Sequence, residues 1–163
     1  MTEIMLSVRP KWCELIASGR KTIEVRKTKP NCDVPFKVYV YCTKQRVNGE
    51  ILLTYDKKIE GRNRGFRDVD DIPFAGKVIG EFVCKAILPI SITYSDTNSK
   101  LALREFPYTC LTDKEIMDYL GNGKTGYGWR ISDLIIYDKT KDLSDFGMKR
   151  PPQSWCYAEE GKR

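Results

Sequence analysis

The sequence contains no histidine among its 163 residues. A Ser-His-Asp or Cys-His nucleophile is therefore excluded within this chain, and so is a metal site with a histidine ligand. Proton transfer in any reaction would have to use Glu, Asp, Lys, Tyr or Cys. The absence rules out several classes of enzyme and leaves binding functions open.

Closely spaced cysteines are also missing. The six cysteines stand far apart in the chain, so there is no CxxC pair of the zinc-ribbon or thioredoxin kind. Cys42 and Cys84 lie inside apolar runs that are typical of buried strands, which favours reduced thiols over a disulfide framework. We therefore predict a cytoplasmic protein that needs no metal and no cofactor.

Long apolar runs are absent as well. No stretch approaches the roughly 18–20 apolar residues of a membrane span, and the first twelve residues lack the apolar core of a signal peptide. We expect no membrane partner. What the sequence has instead is basic charge, since 28 Lys and Arg against 22 Asp and Glu give a net charge of +6. Such an excess is compatible with a nucleic-acid partner.

Strands account for most of the regular structure that the sequence predicts. Apolar runs and alternating patterns indicate strands over residues 4–8, 22–28, 36–43, 76–88, 126–137 and 154–158, with a weaker signal over 50–55. Gly80 and Glu81 interrupt the fourth of these, which predicts a bent central strand. In the second strand, Ile23 and Val25 lie on one face and Glu24 and Arg26 on the other. One face of this strand is therefore expected to contact a polar environment or ligand.

Two helices are predicted between the strands. Pro10 suits the first position of a helix and Gly19 suits its C-terminal cap, so the first helix ends near Ser18. The second covers 112–120, because Thr112 and Glu115 have the spacing of a capping box. A weaker helical signal covers 98–104. Five or six bent strands with two or three helices predict an α+β fold built on a small barrel.

One short run resembles a known motif. Residues 19–26, GRKTIEVR, are similar to the G-x-K-x-x-E-x-R signature of the ASCH family at all four fixed positions. The LSVRP strand before the first helix and the late strand beginning GWRISDL also resemble family members. The resemblance implies a PUA-like β-pseudobarrel of about six strands. We therefore expect residues 1–163 to form a single ASCH domain, with a variable basic insertion at about 44–75.

The resemblance also implies a function, because relatives of this fold bind RNA or read modified bases. The expected partner is RNA, another single-stranded nucleic acid or a modified nucleoside, and we expect the protein to be a monomer. Lys21, Glu24 and Arg26 would lie at a basic cleft, where they supply donors for phosphate and an acceptor for an exocyclic amine. The alternative is structural: Glu24 and Arg26 form an ion pair that closes the rim of the barrel.

Two other functions stay open at this point. Some bacterial ASCH proteins deacetylate acetylcytidine with a Lys, a Thr and a Glu, and ribonuclease activity is also associated with the family. If this chain is such a hydrolase, Lys21 and Glu24 are the expected catalytic residues, although Glu24 stands where that subgroup has the threonine. A protein-interaction domain, whose basic surface recruits an acidic partner, is the third possibility.

A second basic feature lies in residues 57–67, KKIEGRNRGFR. Its glycines and cations are typical of a loop that binds phosphates. The predicted phosphate contacts are Arg62, Arg64 and Arg67. A solvated loop without a ligand explains the same pattern. Arginine-rich loops of this kind bind nucleic-acid backbones without reading sequence.

The tryptophans have different expected roles. Trp129 follows a Gly-Tyr-Gly turn and is either a ligand-binding residue that stacks on a base or a core residue. Trp12 is expected in the core, on the apolar face of the first helix. Trp155 either plugs the end of the barrel or lines the cleft. Tyr39 and Tyr41 share one strand face, where we expect them to pack against the sheet.

Overall fold

The protein is described from a computed structural model, which defines residues 1–44, 74–91 and 107–158. The predicted strand over 50–55 and the predicted helix over 98–104 lie outside the described residues. So do the basic loop 57–67 and its three arginines, Arg62, Arg64 and Arg67.

The described residues form six strands and two α-helices, in close agreement with the predicted α+β barrel. In chain order they are β1 (Glu3–Val8), α1 (Pro10–Ala17), β2 (Ile23–Arg26), β3 (Phe36–Cys42), β4 (Val78–Ser91), α2 (Asp113–Leu120), β5 (Thr125–Lys141) and β6 (Trp155–Tyr157). Two short 3₁₀ turns precede α2 and follow β5, at Pro107–Thr109 and Leu143–Phe146. No helix in this part of the chain is long and apolar enough to cross a bilayer.

All six strands belong to one curled sheet in the order β2-β5-β4-β3-β1-β6. β1 and β3 are parallel, with Val8 opposite Cys42, while the other neighbours are antiparallel. The register shifts between Val78 and Gly80, where a Cβ on the glycine would collide with the carbonyl oxygen of Ile135. The predicted bend of the central strand therefore depends on a position where only glycine fits.

The sheet buries apolar side chains on both of its faces. The concave face and α1 enclose the main core: Ile4, Leu6, Val8, Cys13, Ile16, Phe36, Val38, Val40, Cys42, Ile79, Phe82, Cys84 and Trp129. Tyr39 and Tyr41 pack on the other face with Met5 and Phe146, which confirms their expected structural role. Ile23 and Val25 pack against Ile116 and Leu120 of α2. α2 is thus fixed to the outer side of β2.

The cysteines agree with the prediction of reduced thiols, since all six are free. Burial, together with contact with Cys42, raises the pKa of the Cys13 thiol well above 9.0. Burial also raises the pKa of Cys84 to about 11. These thiols stay protonated at neutral pH and behave as small apolar core residues.

The curl brings the two edges of the sheet, β2 and β6, towards each other. Trp155 donates its indole N–H to Thr28 Oγ1 at 3.0 Å, and the backbone N–H of Asn31 donates to the hydroxyl of Tyr157 at 2.8 Å. These bonds join the chain after β2 to residues of β6, although β2 and β6 are not neighbours in the sheet. Side chains thus bridge the seam of the barrel. The ring of Trp155 packs against Trp129 and Tyr157 and against the main core.

The predicted capping box opens α2. The Thr112 hydroxyl accepts from the Glu115 backbone N–H at 3.2 Å, and the Glu115 carboxylate accepts from the Thr112 backbone N–H at 2.8 Å. Two of the N–H groups that lack a partner within the helix are therefore satisfied.

Replacing Thr112 with alanine removes the hydroxyl half of this box. We expect the free energy of unfolding to fall by about 1 kcal/mol. Urea denaturation measures the change, and Thr112→Ser is the control because it keeps the hydroxyl. Equal losses in both variants would mean that the hydrogen bond contributes nothing.

The box also predicts a dependence of stability on pH. The backbone hydrogen bond from Thr112 lowers the pKa of Glu115 from its usual 4.5 and outweighs the effect of burial. Because the folded pKa is the lower one, this contribution is complete above the unfolded pKa and is lost as pH falls through the folded value. The stability difference between the wild type and Glu115→Gln should shrink between about pH 6 and about pH 3. A difference that stays constant over this range would contradict the assignment.

Candidate functional site

An open cleft of about 910 Å³ lies along the seam, on the side where β2, α1 and α2 meet the start of β6. Its lining combines the motif residues with charged, aromatic and neutral polar side chains from other parts of the chain. The lining residues are Ser7, Arg9, Trp12, Lys21, Glu24, Val25, Arg26, Lys27, Thr28, Thr43, Lys44, Leu111, Glu115, Asp118, Tyr119, Gln153 and Ser154.

The three charged residues of the motif, Lys21, Glu24 and Arg26, lie together at the floor of this cleft and are called the triad below. The turn after α1, in which Gly19 has a φ of +73°, brings Lys21 back so that its N–H donates to the Leu15 carbonyl oxygen at 2.9 Å. Glu24 Oε1 lies 2.8 Å from Arg26 Nη2, and Glu24 Oε2 lies 3.3 Å from Lys21 Nζ. One carboxylate is therefore shared by two cations.

Each cation of this triad also binds a more distant part of the chain. Lys21 Nζ donates to the Thr109 carbonyl oxygen at 2.6 Å. Arg26 Nη2 donates to the Ser7 carbonyl oxygen at 2.7 Å, and Nη1 donates to Ser154 Oγ at 3.3 Å. The triad therefore connects β2 to β1, to the start of β6 and to the 3₁₀ turn before α2.

Burial of the triad was not predicted from the sequence. The alternating pattern predicted that Glu24 and Arg26 share a face, which the structure confirms, but that face is covered: Lys21, Glu24 and Arg26 are only 2%, 5% and 8% exposed. Buried charges are stable only when they are paired and hydrogen-bonded. The same geometry contains both features that the sequence left as alternatives, an ion pair that closes the barrel seam and a cleft beside it.

The accessible charges lie on the rim rather than on the floor. Arg9, Lys27 and Lys44 line the cleft and are exposed, and none of them forms a salt bridge with a carboxylate in the part of the chain that the structure describes. Asp118 and Glu115 of α2 face the same cleft, where Glu115 lies 3.5 Å from Lys11. These rim side chains are the groups that a ligand would meet first.

Trp12 is a lining residue that the sequence reasoning assigned to the core alone. It is half-buried against the main core, and the Nζ atoms of Lys11 and Lys21 lie 4.5 Å and 5.1 Å from its ring centroid. An aromatic residue on an apolar helix face carries no local signal that it also borders a cleft. Tyr119, on the exposed side of α2, is a second lining residue that the sequence did not indicate, and Lys27 Nζ lies 5.2 Å from its ring centroid.

Trp129 lies in the core. Its side chain has no exposed surface, and its ring packs edge-on against Phe36 at 5.4 Å and against Trp155 at 5.8 Å. It does not line the cleft, so its indole presents no face on which a base could stack. Of the two roles open to it from the sequence, the structure shows packing. In the register of β2 and β5, Trp129 lies directly opposite Glu24.

Comparison with protein families identifies one match: the family model of the ASCH domain matches residues 6–113. The matched region contains the whole triad, all of α1 and most of the cleft lining, and it ends at the first residue of α2. No curated protein matches this sequence.

Solved structures share the fold. The crystal structure of an ASCH protein from Zymomonas mobilis has a TM-score of 0.66 and 18% identity, covering 98% of this chain and 90% of that one. A tyrosine-to-phenylalanine variant of the Zymomonas mobilis protein gives a TM-score of 0.65 and 16% identity over 99% of this chain and 94% of that one. A serine-to-alanine variant of the same protein has a TM-score of 0.65 and 17% identity, covering 98% of this chain and 90% of that one. At this identity the likeness concerns the fold.

The triad predicts a large effect of one nearly isosteric change. Glu24→Gln leaves two buried cations with no carboxylate, and removing one partner of a buried pair costs about 3–5 kcal/mol. We expect a loss of unfolding free energy of this size in urea denaturation. The matched control is Asp133→Asn, whose exposed pair with Lys85 contributes less than about 1 kcal/mol. Similar losses in the two variants would show that the triad does not hold the seam.

Proposed function

This chain belongs to the ASCH domain family, and from that premise we propose that it binds RNA or a modified nucleotide in the cleft beside the GRKTIEVR motif. The family supports a general role in RNA binding. The proposal adds the location of the site and the residues that form it.

The observation that carries this proposal is the composition of the cleft. Five Lys and Arg side chains line it against three Asp and Glu, and two aromatic rings lie among them. Cations that contact phosphates beside aromatic rings that accept bases form the usual platform for single-stranded nucleic acids. A volume of about 910 Å³ lies in the range of small-ligand sites.

In this proposal the triad forms the base of the site. Lys21, Glu24 and Arg26 hold the strands that frame the cleft, and their few exposed atoms contribute positive potential at its floor. The cations of the rim make the first contacts with phosphate. Trp129 is not among the proposed ligand contacts because it is fully buried and does not line the cleft.

Several predictions from the sequence are added to this proposal. Arg62, Arg64 and Arg67 are proposed as further phosphate contacts, in a segment outside the described residues. A monomeric state, a single domain over 1–163 and a cytoplasmic location also stay predictions.

The hydrolase alternative would assign catalysis to Lys21 and Glu24. In the structure the ammonium of Lys21 is occupied by Glu24 and by the Thr109 carbonyl, and both side chains are buried. A general base or nucleophile must reach the substrate with a free atom. This arrangement favours binding, so we propose a binding module rather than a hydrolase.

Salt-dependent binding of single-stranded RNA tests the proposal. We expect the logarithm of the affinity to fall linearly with the logarithm of salt concentration, with a slope of about −0.7 for each phosphate contacted. Lys27→Gln, on the cleft rim, should weaken binding severalfold, whereas Lys139→Gln should not, since Lys139 is also exposed but does not line the cleft.

Fluorescence anisotropy with a labelled RNA measures both variants under identical salt conditions. No binding at low salt would overturn the proposed function. Equal losses in Lys27→Gln and Lys139→Gln would place the binding surface elsewhere.

A further inference from the structure

We propose that the cleft binds a nucleotide unit in one fixed direction, with its phosphate between Arg9 and Lys44 and its base at α2, against Tyr119 and within reach of Asp118. The inference deepens the proposed function and rests on it. It assigns the phosphate and base ends of the site, and it predicts a preference for bases that carry an exocyclic amine.

The phosphate end is defined by the register of two parallel strands. Val8 at the end of β1 lies opposite Cys42 at the end of β3, and the Thr43 N–H donates to the Val8 carbonyl oxygen at 2.9 Å. Arg9 and Lys44 therefore leave the sheet side by side, at the same end of the cleft. Both are exposed and have no carboxylate partner among the described residues.

The neighbours of this end are neutral donors. The Ser7 N–H donates to the Ser154 carbonyl oxygen at 2.9 Å, which places Ser154 and the adjoining Gln153 at the end of β1. Thr43, which precedes Lys44 in the chain, also lines the cleft. Arginine, lysine, hydroxyl and amide groups are the side chains that contact phosphate oxygens in nucleic-acid complexes.

The acidic end lies at α2. Glu115 is tied to Lys11 at 3.5 Å, and Tyr119 lies under Lys27, whose Nζ is 5.2 Å from the ring centroid. α2 therefore borders the cleft at the start of α1 and at the end of β2. Asp118, one turn after Lys114, also lines the cleft, and its salt bridge with Lys114 is solvent-exposed at 2.6 Å.

This separation of charge orients the ligand. A phosphate next to Asp118 and Glu115 would meet like charges, whereas the described lining residues next to Arg9 and Lys44 are neutral donors. The base then reaches α2, where Tyr119, 37% exposed, offers a ring for stacking. A carboxylate accepts a hydrogen bond from the exocyclic amine of cytosine, a group that uracil lacks. Asp118 is free to do so because its exposed ion pair is weak and easily exchanged.

The phosphate end is tested with a double variant and a charge-matched control. The cleft variant combines Arg9→Gln with Lys44→Gln. The control combines Arg130→Gln with Lys139→Gln. Each variant removes one Arg and one Lys charge, but only the residues of the cleft variant line the cleft. The probes are cytidine and an oligocytidylate of about five nucleotides, and isothermal titration calorimetry measures both. We expect the first variant to lose about tenfold or more in affinity for the oligonucleotide. Its affinity for cytidine, and both affinities of the control, should change little.

The base end is tested by comparing oligocytidylate with oligouridylate of equal length. We expect the wild type to prefer cytidylate by about tenfold, and Asp118→Asn to reduce this ratio towards one. Lys114→Gln is the control, because it breaks the same ion pair and keeps the carboxylate. It should keep the preference.

The outcomes separate this inference from the proposed function. If neither oligonucleotide binds at low salt, the proposed function fails and the orientation fails with it. If binding is observed but the cleft variant loses no more than its control, the function stands and the phosphate assignment is overturned. If the cytidylate preference is absent, or survives in Asp118→Asn, the base assignment is overturned.

Discussion

The guanidinium of Arg26 is the contact on which this structure depends. Strand order leaves β2 and β6 as the two edges of the sheet, and Arg26 bridges them by donating to the Ser7 carbonyl and to the Ser154 hydroxyl. A guanidinium enters such a buried position only if its charge is balanced, and Glu24 balances it at 2.8 Å. Lys21 completes the arrangement and carries it to the turn before α2. The first role of the motif is thus structural, because its side chains close the barrel.

The cleft follows from the way in which the seam is closed. Backbone pairing of β2 with β6 would leave no space between the edges, whereas bridging by side chains leaves an open groove floored by the bridge itself. The charges of the floor are paired with one another, at 2.8 Å between Glu24 and Arg26 and at 3.3 Å between Glu24 and Lys21. The cations of the rim, by contrast, have no carboxylate partner among the residues that the structure describes. A floor whose charges are already paired and a rim of accessible cations suit a site that binds at its rim.

Local patterns predicted the elements well and the environments of single side chains poorly. The six strands, both helices, the capping box at Thr112 and the bend at Gly80 were all readable, because strand alternation, caps and glycine positions act over a few residues. Trp12 and Trp129 show that local patterns do not predict the environment of a single side chain. The sequence placed Trp12 in the core and left Trp129 open between base stacking and the core, yet Trp12 borders the cleft and Trp129 is fully buried.

By itself the sequence determined the α+β fold class, the family motif and the shared face of Glu24 and Arg26, since each depends on spacing along a single segment. Only the tertiary structure decided that this face is buried and that Arg9, Lys27 and Lys44 are accessible cations of the cleft that the described residues form. The reason is distance along the chain. Arg26 finds Ser154 across 128 residues and Lys21 finds Thr109 across 88, and no local pattern encodes the curl that brings them together.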